Sequence, residues 1–284
     1  MIQSRDFTPE QLEQFKLLQR RAYATLEEAA ESLRPGVSEK DVARQLQRAF
    51  AAQGVHSYFH MPVALFGERT AYPGDFGQFE ALPTGRRLAD GDAVILDAAP
   101  IYDGYTVDVS LAVPRPGKEV EFARADELLH DLRLRILHGV RQHQAMRHIA
   151  RDVDQEIRAQ GFVNCHRKHI GKVLAHRVTR APKVLAGRRI WGLSPLPVGW
   201  FFWRSYRAGT GKPSLTPNWN DTRQSECLPQ PGLWAVEPHV GLGALGSKFE
   251  EILVITQSDA WYLDDALPHH RRWAQRSSSS RSLQ

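Results

Sequence analysis

Residues 92–113 read DAVILDAAPIYDGYTVDVSLAV, two runs of apolar residues on either side of Asp103-Gly104. An Asp-Gly pair between such runs is a strong signal for the turn of a β-hairpin. Two strands paired across this turn can bring the carboxylates of Asp97 and Asp108 toward one face of a sheet. Two such charges about 4 Å apart repel by roughly 4 kcal/mol at an effective dielectric of about 20. The stretch therefore predicts a cation between the two carboxylates, and a divalent metal ion is the leading candidate.

A structural role for these aspartates is the alternative. Asp is disfavoured in strands but common beside turns, where its side chain bonds the nearby backbone. Asp92 and Asp103 fit that pattern, because one precedes a strand and the other lies in the hairpin loop. The hairpin alone leaves both interpretations open.

The composition is that of a soluble globular protein. The chain has 284 residues, of which 42% are hydrophobic and 24% are charged, so it can bury a large core. No stretch approaches the run of about 18 apolar residues that a membrane span needs. The N-terminal residues lack the apolar region of a signal peptide. Two cysteines, Cys165 and Cys227, form no CxxC pair, which favours a reducing, cytoplasmic setting.

The net charge of +5 comes mostly from one end of the chain. Residues 269–284 contain four arginines and no acidic residue, and removing these four charges leaves +1 for the rest. We expect this basic Ser/Arg tail to be disordered. The body of the protein lacks the basic surplus of a nucleic-acid binder, so no nucleic-acid partner is expected.

Two helices are predicted before the hairpin. Thr8, Pro9 and Gln11 form a capping box with proline at the first helical position, and apolar residues recur at helical spacing to about residue 33. A second start at Ser38 predicts a helix that ends near Gly54.

The same pair of helices recurs about a hundred residues later. A long amphipathic helix is predicted around 119–139 and a shorter one over 146–161. Both shorter helices end in Ala-Gln-Gly, and their inward apolar positions match when they are aligned on that glycine. The matched pairs are Val42 with Ile149, Leu46 with Val153 and Phe50 with Ile157. This pattern indicates an internal duplication, with chance similarity of two amphipathic helices as the alternative.

Strands are predicted after each helix pair. Those of the first half are Val63–Phe66, Ala93–Ala98 and Tyr105–Val113, and those of the second are Val173–Val178, Leu233–Glu237 and Lys248–Thr256. The segment 180–231 is rich in Gly, Pro and aromatic residues. A loop of that length is typically a lid or a pocket wall. A small packing subdomain and an oligomer contact are the alternatives.

Three further places put metal-type ligands at the edges of predicted strands. His169 and His176 lie seven residues apart around a glycine-containing turn. An apolar strand ends on Glu237 and a proline. Of the adjacent pair Glu250 and Glu251, one must face inward because side chains alternate along a strand. Each place alone is also typical of a structural residue.

Taken together, these places resemble one family. The order is two aspartates eleven apart, two histidines seven apart, Glu-Pro at a strand end, and Phe-Glu-Glu before Ile-Leu-Val-Ile-Thr. This order is similar to that of the pita-bread metallohydrolases, which comprise methionine aminopeptidases, proline-specific aminopeptidases and dipeptidases, and creatinase-type hydrolases. The resemblance covers about residues 10–260. It implies an α+β pita-bread fold, with two pseudo-symmetric helix–helix–strand halves around a curved antiparallel sheet in one catalytic domain, 1–268.

The resemblance also implies a metal centre of two adjacent divalent ions. The ligands would be Asp97, Asp108, His169, Glu237 and Glu250. Two divalent ions would neutralise the four carboxylates, and this donor set suits Mn, Fe, Co or Zn.

The resemblance assigns roles to these residues. Asp108 and Glu250 would bridge the two ions, and a hydroxide between the ions would be the nucleophile. Glu237 would act as general base. His176 would hydrogen-bond the substrate carbonyl or the tetrahedral intermediate.

The chain departs from the family pattern in three places, one of which is the aromatic segment between His176 and Glu237, which the compact members lack. The family's peptidases carry a further histidine ahead of the aspartate hairpin, whereas residues 65–75 contain none. His56 and His60 precede that stretch and are not assigned to the site. The glycine that usually follows the metal histidine is absent after His169, which makes His166 a competing ligand.

The glycines at 241, 243 and 246 fit the pattern GxGxxG. They precede a strand rather than open a helix, so a dinucleotide site is not expected. The segment is interpreted as the turn between the two glutamate strands.

The resemblance predicts a hydrolase of an amide (C–N) bond, aminopeptidase-like, acting on a small peptide or small amide. The alternatives are a creatinase-like hydrolase of a small non-peptide C–N bond and a non-catalytic binding homologue. No membrane partner is expected, and the sequence leaves a homodimer open. The size resembles that of methionine aminopeptidases, but the missing histidine argues against that housekeeping role.

Overall fold

The computed structural model describes residues 7–178, 180 and 217–281, and the structural statements below refer to those residues. The helices are α1 (Pro9–Glu31), α2 (Glu39–Ala52), α3 (Glu119–Arg141), α4 (Met146–Ala159) and α5 (Pro268–Arg281). The strands are β1 (Ser57–Tyr58), β2 (Val63–Phe66), β3 (Val94–Ala98), β4 (Pro100–Tyr102), β5 (Tyr105–Thr106), β6 (Val109–Val113), β7 (Val163–Asn164), β8 (Ala175–Val178), β9 (Asn218–Trp219), β10 (Gly232–Val236), β11 (His239–Leu242), β12 (Leu245–Lys248), β13 (Glu251–Ile255) and β14 (Ala260–Tyr262).

The predicted helix starts are confirmed. The Gln11 backbone N–H donates to Oγ1 of Thr8 at 3.3 Å, and the Thr8 backbone N–H donates to Oε1 of Gln11 at 3.1 Å. These two bonds satisfy donors that the first turn of a helix otherwise leaves unpaired. Ser38 caps α2 in the same way, by accepting from the backbone N–H of Asp41.

The two helix pairs match in length as well as in sequence. Helices α1 and α3 each have 23 residues, and α2 and α4 each have 14. The two shorter helices are followed by Gly54 at φ +83° and Gly161 at φ +79°, a left-handed conformation that glycine adopts without strain. The matched apolar positions of α2 and α4 are all buried.

The strands form four small antiparallel sheets, two from each half. Their orders are β2-β3-β6 and β1-β4-β5 in the first half, and β14-β13-β10-β8-β9 and β12-β11-β7 in the second. A bridge between Leu111 and Phe249 joins the halves at the strands that carry the predicted ligands. One hydrophobic core lies under α1 and α2, and a second lies under α3 and α4.

The hairpin predicted from residues 92–113 is two nested ladders. Strands β3 and β6 pair directly, with Asp97 opposite Ser110. Inside them β4 and β5 form a tight hairpin closed by Asp103 and Gly104, at φ +46° and +84°. Positive φ at both central residues is what a type I′ turn requires. Asp108 lies immediately before β6.

The segment predicted as one strand over Lys248–Thr256 is two strands. Strand β12 ends at Lys248 and β13 begins at Glu251, and each belongs to a different sheet. The segment between β11 and β12 is the tight turn expected there, with Gly243 at φ +59°. A Cβ on Gly246 would lie 1.8 Å from the carbonyl oxygen of Thr70, so close backbone packing explains this glycine.

The expectation of a disordered tail over 269–284 is wrong for residues 269–281, which are helical. Residues Pro268–Arg281 form α5, with His269 and Trp273 buried. Arg272 and Arg276 pair with the fully buried Asp126 of α3, at 3.1 and 3.3 Å. The buried carboxylate of Asp126 needs cationic partners, and these arginines supply them. Sequence composition does not show such long-range pairing.

The aromatic segment predicted over 180–231 is described only in part. Residues 181–216 lie outside the described residues, and with them the proposed lid, pocket wall or oligomer contact. Trp219, near the end of the segment, is buried in the second core, where its indole N–H donates to the carbonyl of Met146.

Candidate metal centre

Five of the six predicted site residues come from strands that meet near the bridge between the halves. Asp97 lies on β3, Asp108 precedes β6, His176 lies on β8, Glu237 follows β10, and Glu250 lies between β12 and β13. All are buried apart from Asp97, whose side chain is 16% exposed. The sixth residue, His169, lies between two short 3₁₀ turns, His166–Lys168 and Ile170–Lys172. The structure thus gathers the sequence-predicted set, but in two distinct groups.

We call the first group the Asp108 end. It consists of Asp108, His60 and His176, together with one oxygen each from Asp97 (Oδ1) and Glu250 (Oε1). Asp108 Oδ1 lies 3.0 Å from Nε2 of His60, and Asp108 Oδ2 lies 3.1 Å from Nε2 of His176. His60 Nε2 lies 3.5 Å from Asp97 Oδ1, and His176 Nε2 lies 3.6 Å from Glu250 Oε1. Two carboxylates and two imidazoles therefore converge on Asp108.

The charges at the Asp108 end stabilise one another. Burial alone raises the pKa of Asp108, but the charge and hydrogen bonds of His60 and His176 outweigh it and hold that pKa well below its usual range. Burial lowers the pKa of His60, but the charges of Asp108 and Asp97 raise it to about 10. Hydrogen bonds to Asp108 and Glu250 likewise hold the pKa of His176 well above its usual value, against burial. A cation is thus strongly favoured beside Asp108.

The second group, which we call the Lys248 end, was not expected from the sequence. Lys248 Nζ donates to Asp97 Oδ2 at 2.9 Å, to Glu237 Oε2 at 3.1 Å and to Glu250 Oε2 at 3.3 Å. Its side chain is only 3% exposed. Burial lowers the pKa of Lys248, but the charges of Asp97, Glu250 and Glu237 hold it well above its ordinary value. An ammonium group therefore lies among three of the four predicted carboxylate ligands.

The two glutamates differ in the ease with which they ionise. Burial and the charge of Asp108 raise the pKa of Glu250 to about 8. Burial also acts against ionisation of Glu237, but the charges of Lys248 and His169 hold its pKa well below the usual range. Glu237 is the carboxylate that the Lys248 end keeps ionised.

Strand alternation explains why Lys248 points into the site. Lys248 and Glu250 are two residues apart, as are Glu237 and His239, and side chains two apart in extended chain share a face. Lys248 also lies directly opposite His239 in the β11–β12 ladder. The same alternation turns Glu251 to the opposite side, where it pairs with Arg133 of α3 at 2.7 Å. The two-residue spacing from Glu250 and Glu237 could therefore have predicted that Lys248 and His239 face the site.

His169 has both ring nitrogens engaged at the Lys248 end. Its Nδ1 lies 3.0 Å from Glu237 Oε2, and its Nε2 lies 3.1 Å from Nδ1 of His239. His239 Nε2–H donates to the carbonyl of Thr70, so its Nδ1 accepts from His169. Burial and the charge of His169 hold the pKa of His239 well below its usual value.

Two histidines lie elsewhere than expected from the sequence. His166, the competing ligand, directs Nε2 at Oδ1 of Asp154 at 3.1 Å, away from the carboxylate cluster. His60 belongs to the site, contrary to the sequence assignment. Its Nδ1–H donates to the carbonyl of Met61 at 3.0 Å, which fixes the ring with Nε2 toward Asp108. The loop between β1 and β2 supplies this contact, and no local pattern signals it.

The residues at the Asp108 end fit a divalent ion. Two sets of three ligand atoms are present there, and the atoms of each set lie within 4.8 Å of one another. One set comes from His60, Asp97 and Asp108, and the other comes from Asp108, His176 and Glu250. Oδ1 of Asp97 is buried without a hydrogen-bond partner among the described residues, as expected of an oxygen that awaits a cation. Carboxylate and imidazole donors suit first-row divalent metals.

A cleft of about 760 Å³ opens beside His169. Its described lining includes Arg167, Lys168, Lys172 and Arg223 and no acidic residue. Arg167 is neutralised by Asp154 and Asp221. Lys172 and Arg223 are exposed and have no ion-pair partner among the described residues. The cleft therefore favours an anionic group near the site.

Residues 13–257 match the sequence model of metallopeptidase family M24, which is most of the chain. The chain belongs to this family. Members of family M24 are metallohydrolases, so the resemblance inferred from the ligand order is confirmed.

Solved structures with the same fold include three peptidases. The X-Pro aminopeptidase from Thermotoga maritima is 17% identical over 90% of this chain and 61% of its own, with a TM-score of 0.61. The prolidase from Pyrococcus furiosus is 16% identical over 90% and 64%, with a TM-score of 0.63. The methionine aminopeptidase from Rickettsia prowazekii is 15% identical over 93% and 99%, with a TM-score of 0.60. These likenesses confirm the pita-bread fold.

The chain spans about three fifths of the length of the first two of these proteins. No protein of curated function matches the chain at a significant level. Among the described residues, no helix is both long enough and apolar enough to cross a membrane.

Proposed function

We propose that this chain is a metal-dependent hydrolase of an amide C–N bond, aminopeptidase-like, that acts on small peptides. The observation that carries the proposal is the convergence of carboxylate and imidazole ligand atoms on Asp108 in a chain of family M24. The three peptidases with the same fold agree with this reaction class.

A bound metal ion would activate both the substrate and the attacking water. A divalent ion at the Asp108 end would polarise a scissile carbonyl and lower the pKa of a bound water toward about 7. The donor set suits Mn, Fe, Co or Zn, and we use Mn²⁺ as the probe in the experiments below. The two-ion count and the bridging hydroxide implied by the resemblance stay predictions.

The chain's own residues would orient and move protons around that ion. Asp108 would be the central ligand, with His60 and Asp97 beside it. His176 would hold a proton between Asp108 and Glu250, within reach of a substrate oxygen, as its 3.1 and 3.6 Å contacts allow. Glu237, kept ionised by Lys248 and His169, suits the general base. His169 as a metal ligand stays a prediction, since Glu237 and His239 engage its nitrogens.

The substrate we favour is a short peptide with a free carboxyl terminus. The cleft beside His169 carries the unpaired cations Lys172 and Arg223 in its described lining, and a carboxylate would pair with them. Because the cleft borders the site through His169, the scissile bond would lie only a few residues from that carboxylate.

Three further expectations concern the cellular setting, the oligomeric state and the alternative substrate. A cytoplasmic setting is supported by two cysteines that are both free. A homodimer stays a prediction. Small amides remain the alternative substrate class.

A substrate panel tests the proposed function. The full-length protein would be stripped with EDTA, reloaded with Mn²⁺ or Co²⁺, and incubated with dipeptides, Xaa-Pro peptides and small amides. We expect release of the N-terminal residue from peptides, loss of turnover in EDTA and recovery with Mn²⁺. Turnover of small amides but of no peptide would support the creatinase-like alternative. Absence of both turnover and metal binding would contradict the proposal.

A further inference from the structure

Lys248 lies among carboxylates that the ligand order assigns to two metal ions. Its Nζ is within 3.3 Å of carboxylate oxygens from Asp97, Glu237 and Glu250, three of the four carboxylates predicted as ligands. The fourth, Asp108, belongs to the other end of the site, with His60 and His176.

We propose that the Lys248 ammonium takes the place of one of two divalent ions, so that this chain binds a single ion, at the Asp108 end. This inference rests on the proposed function only in assuming that a metal binds. It revises the count of two ions that the ligand order implies. Lys248 is thereby a positioning residue of the centre, because it holds three carboxylates in place without itself binding a metal.

The division of oxygens between the two ends supports this. Asp97 directs Oδ2 at Lys248 and leaves Oδ1 without a hydrogen bond among the described residues. Glu250 directs Oε2 at Lys248, and its Oε1 lies 3.6 Å from His176. Each carboxylate thus bridges the two ends, as it would between two cations. One of those cations is already supplied by the chain.

Charge leads to the same count. The four carboxylates Asp97, Asp108, Glu237 and Glu250 bring at most four negative charges, the full number only once Glu250 has lost its proton. Two divalent ions would neutralise them, and the ammonium would then be a surplus positive charge inside the cluster. One divalent ion and the ammonium bring three positive charges, and the site histidines can balance the remaining negative charge. The charge count therefore favours one ion beside the buried lysine over two.

Lys248 satisfies its charge through the three carboxylates that its Nζ contacts. The residue is paired with His239 in the β11–β12 ladder, which fixes its Cα, and its side chain is 3% exposed. Three carboxylates occupy the three N–H directions of the ammonium. Turning it away from them would leave a buried charge without partners, which is strongly disfavoured.

Metal counting tests the inference. Full-length wild-type protein, Lys248→Met and the matched control Lys40→Met would be stripped with EDTA, loaded with excess Mn²⁺ and desalted. Bound manganese per chain would then be measured by elemental analysis. Lys40 is an exposed lysine on α2, remote from the site. We expect one Mn²⁺ in the wild type and in Lys40→Met, and two in Lys248→Met.

The outcomes separate this inference from the proposed function. Two ions in a wild type that hydrolyses peptides would overturn the inference and leave the function standing. One ion in both the wild type and Lys248→Met would overturn the role given to Lys248. No ion in the wild type would overturn both.

A second measurement keeps the test valid if Lys248→Met does not fold. The electron paramagnetic resonance spectrum of the Mn²⁺-loaded wild type should show the resolved hyperfine lines of an isolated ion. The broadened spectrum of a coupled pair would overturn the inference without any variant.

Discussion

His60 Nε2 lies 3.0 Å from Oδ1 of Asp108, although the two residues are 48 positions apart in the chain. The bond of His60 Nδ1–H to the Met61 carbonyl leaves Nε2 as the only ring atom directed at the site. A ring fixed in this way offers its lone pair to a cation once the Nε2 proton leaves. We expect this histidine to hold a metal ion at the Asp108 end, since residues 65–75 offer no histidine for the site.

His60→Gln tests that role. We expect its affinity for Mn²⁺ to fall by about 10- to 100-fold, because groups that hold or orient metal ligands typically contribute that much. Isothermal titration with Mn²⁺ measures the change. His56→Gln is the matched control, since His56 is a nearby but exposed histidine. Equal affinities in the two variants would remove His60 from the centre.

Arg133→Met should lower the free energy of unfolding by about 3–5 kcal/mol, because it removes the arginine that pairs with the buried Glu251 carboxylate and leaves it only the imidazoles of His269 and His270. Arg133 holds Glu251 through two bonds, at 2.7 and 3.1 Å, and both side chains are buried. Urea unfolding in EDTA measures the loss.

Arg135→Met on the same helix is the control for that variant. Arg135 is 47% exposed and pairs with Glu156 at 2.9 Å, so its loss should cost about 0–1 kcal/mol. Similar losses in the two variants would show that burial gives the Glu251 pair no special weight.

Acid should destabilise the protein through His269. Burial lowers the pKa of His269 to about 4 from an ordinary 6.5, so the unfolded chain binds a proton between these values that the folded chain does not. Stability is therefore complete above pH 6.5 and is lost as the pH falls toward 4. The expected slope is about 1 kcal/mol per pH unit near pH 5.5.

His269→Gln should flatten this dependence, whatever it does to stability at pH 7. Unfolding free energies from about pH 7 to 5, in EDTA, measure the slope. His148→Gln, at an exposed position on α4, should keep the wild-type slope. An unchanged slope in His269→Gln would assign the acid sensitivity elsewhere.

Arg223→Gln tests the carboxylate-binding role of the cleft. We expect KM for a dipeptide to rise about twofold to fivefold, as for loss of one exposed ion pair, with kcat retained. The dipeptide amide, which lacks the terminal charge, should show no change. Arg158→Gln, at an exposed position on α4, is the control. Equal effects on the acid and the amide would contradict the proposed recognition.

Local sequence signals were enough for the helices and for the chain positions of most candidate ligands. The capping box of Thr8 and Gln11 depends only on neighbours three residues apart, and it forms as predicted. The spacing of Asp97 and Asp108 and the strand-end position of Glu237 also reflect local chain geometry. These features could be predicted because the chain within a few residues of each determines them.

The rest depends on contacts between distant segments. His60 reaches Asp108 through a loop whose path no periodic pattern reveals. The partner of Arg272 and Arg276 in α5 is a buried aspartate about 150 residues earlier, so composition alone suggested disorder. The inward direction of Lys248 could have been predicted, because it lies two residues from Glu250 in extended chain. Its contacts could not, because its three carboxylate partners lie on three different segments.

The central claim is that this chain is a metal-dependent hydrolase whose centre is Asp108. Its most direct test is Mn²⁺ binding and peptide turnover by Asp108→Ala, compared with the wild type and with Asp90→Ala, a change at an exposed aspartate. We expect Asp108→Ala to lose both metal binding and turnover, because Asp108 belongs to both ligand sets, while Asp90→Ala keeps both. An Asp108→Ala protein that binds Mn²⁺ and hydrolyses peptides like the wild type would contradict the account.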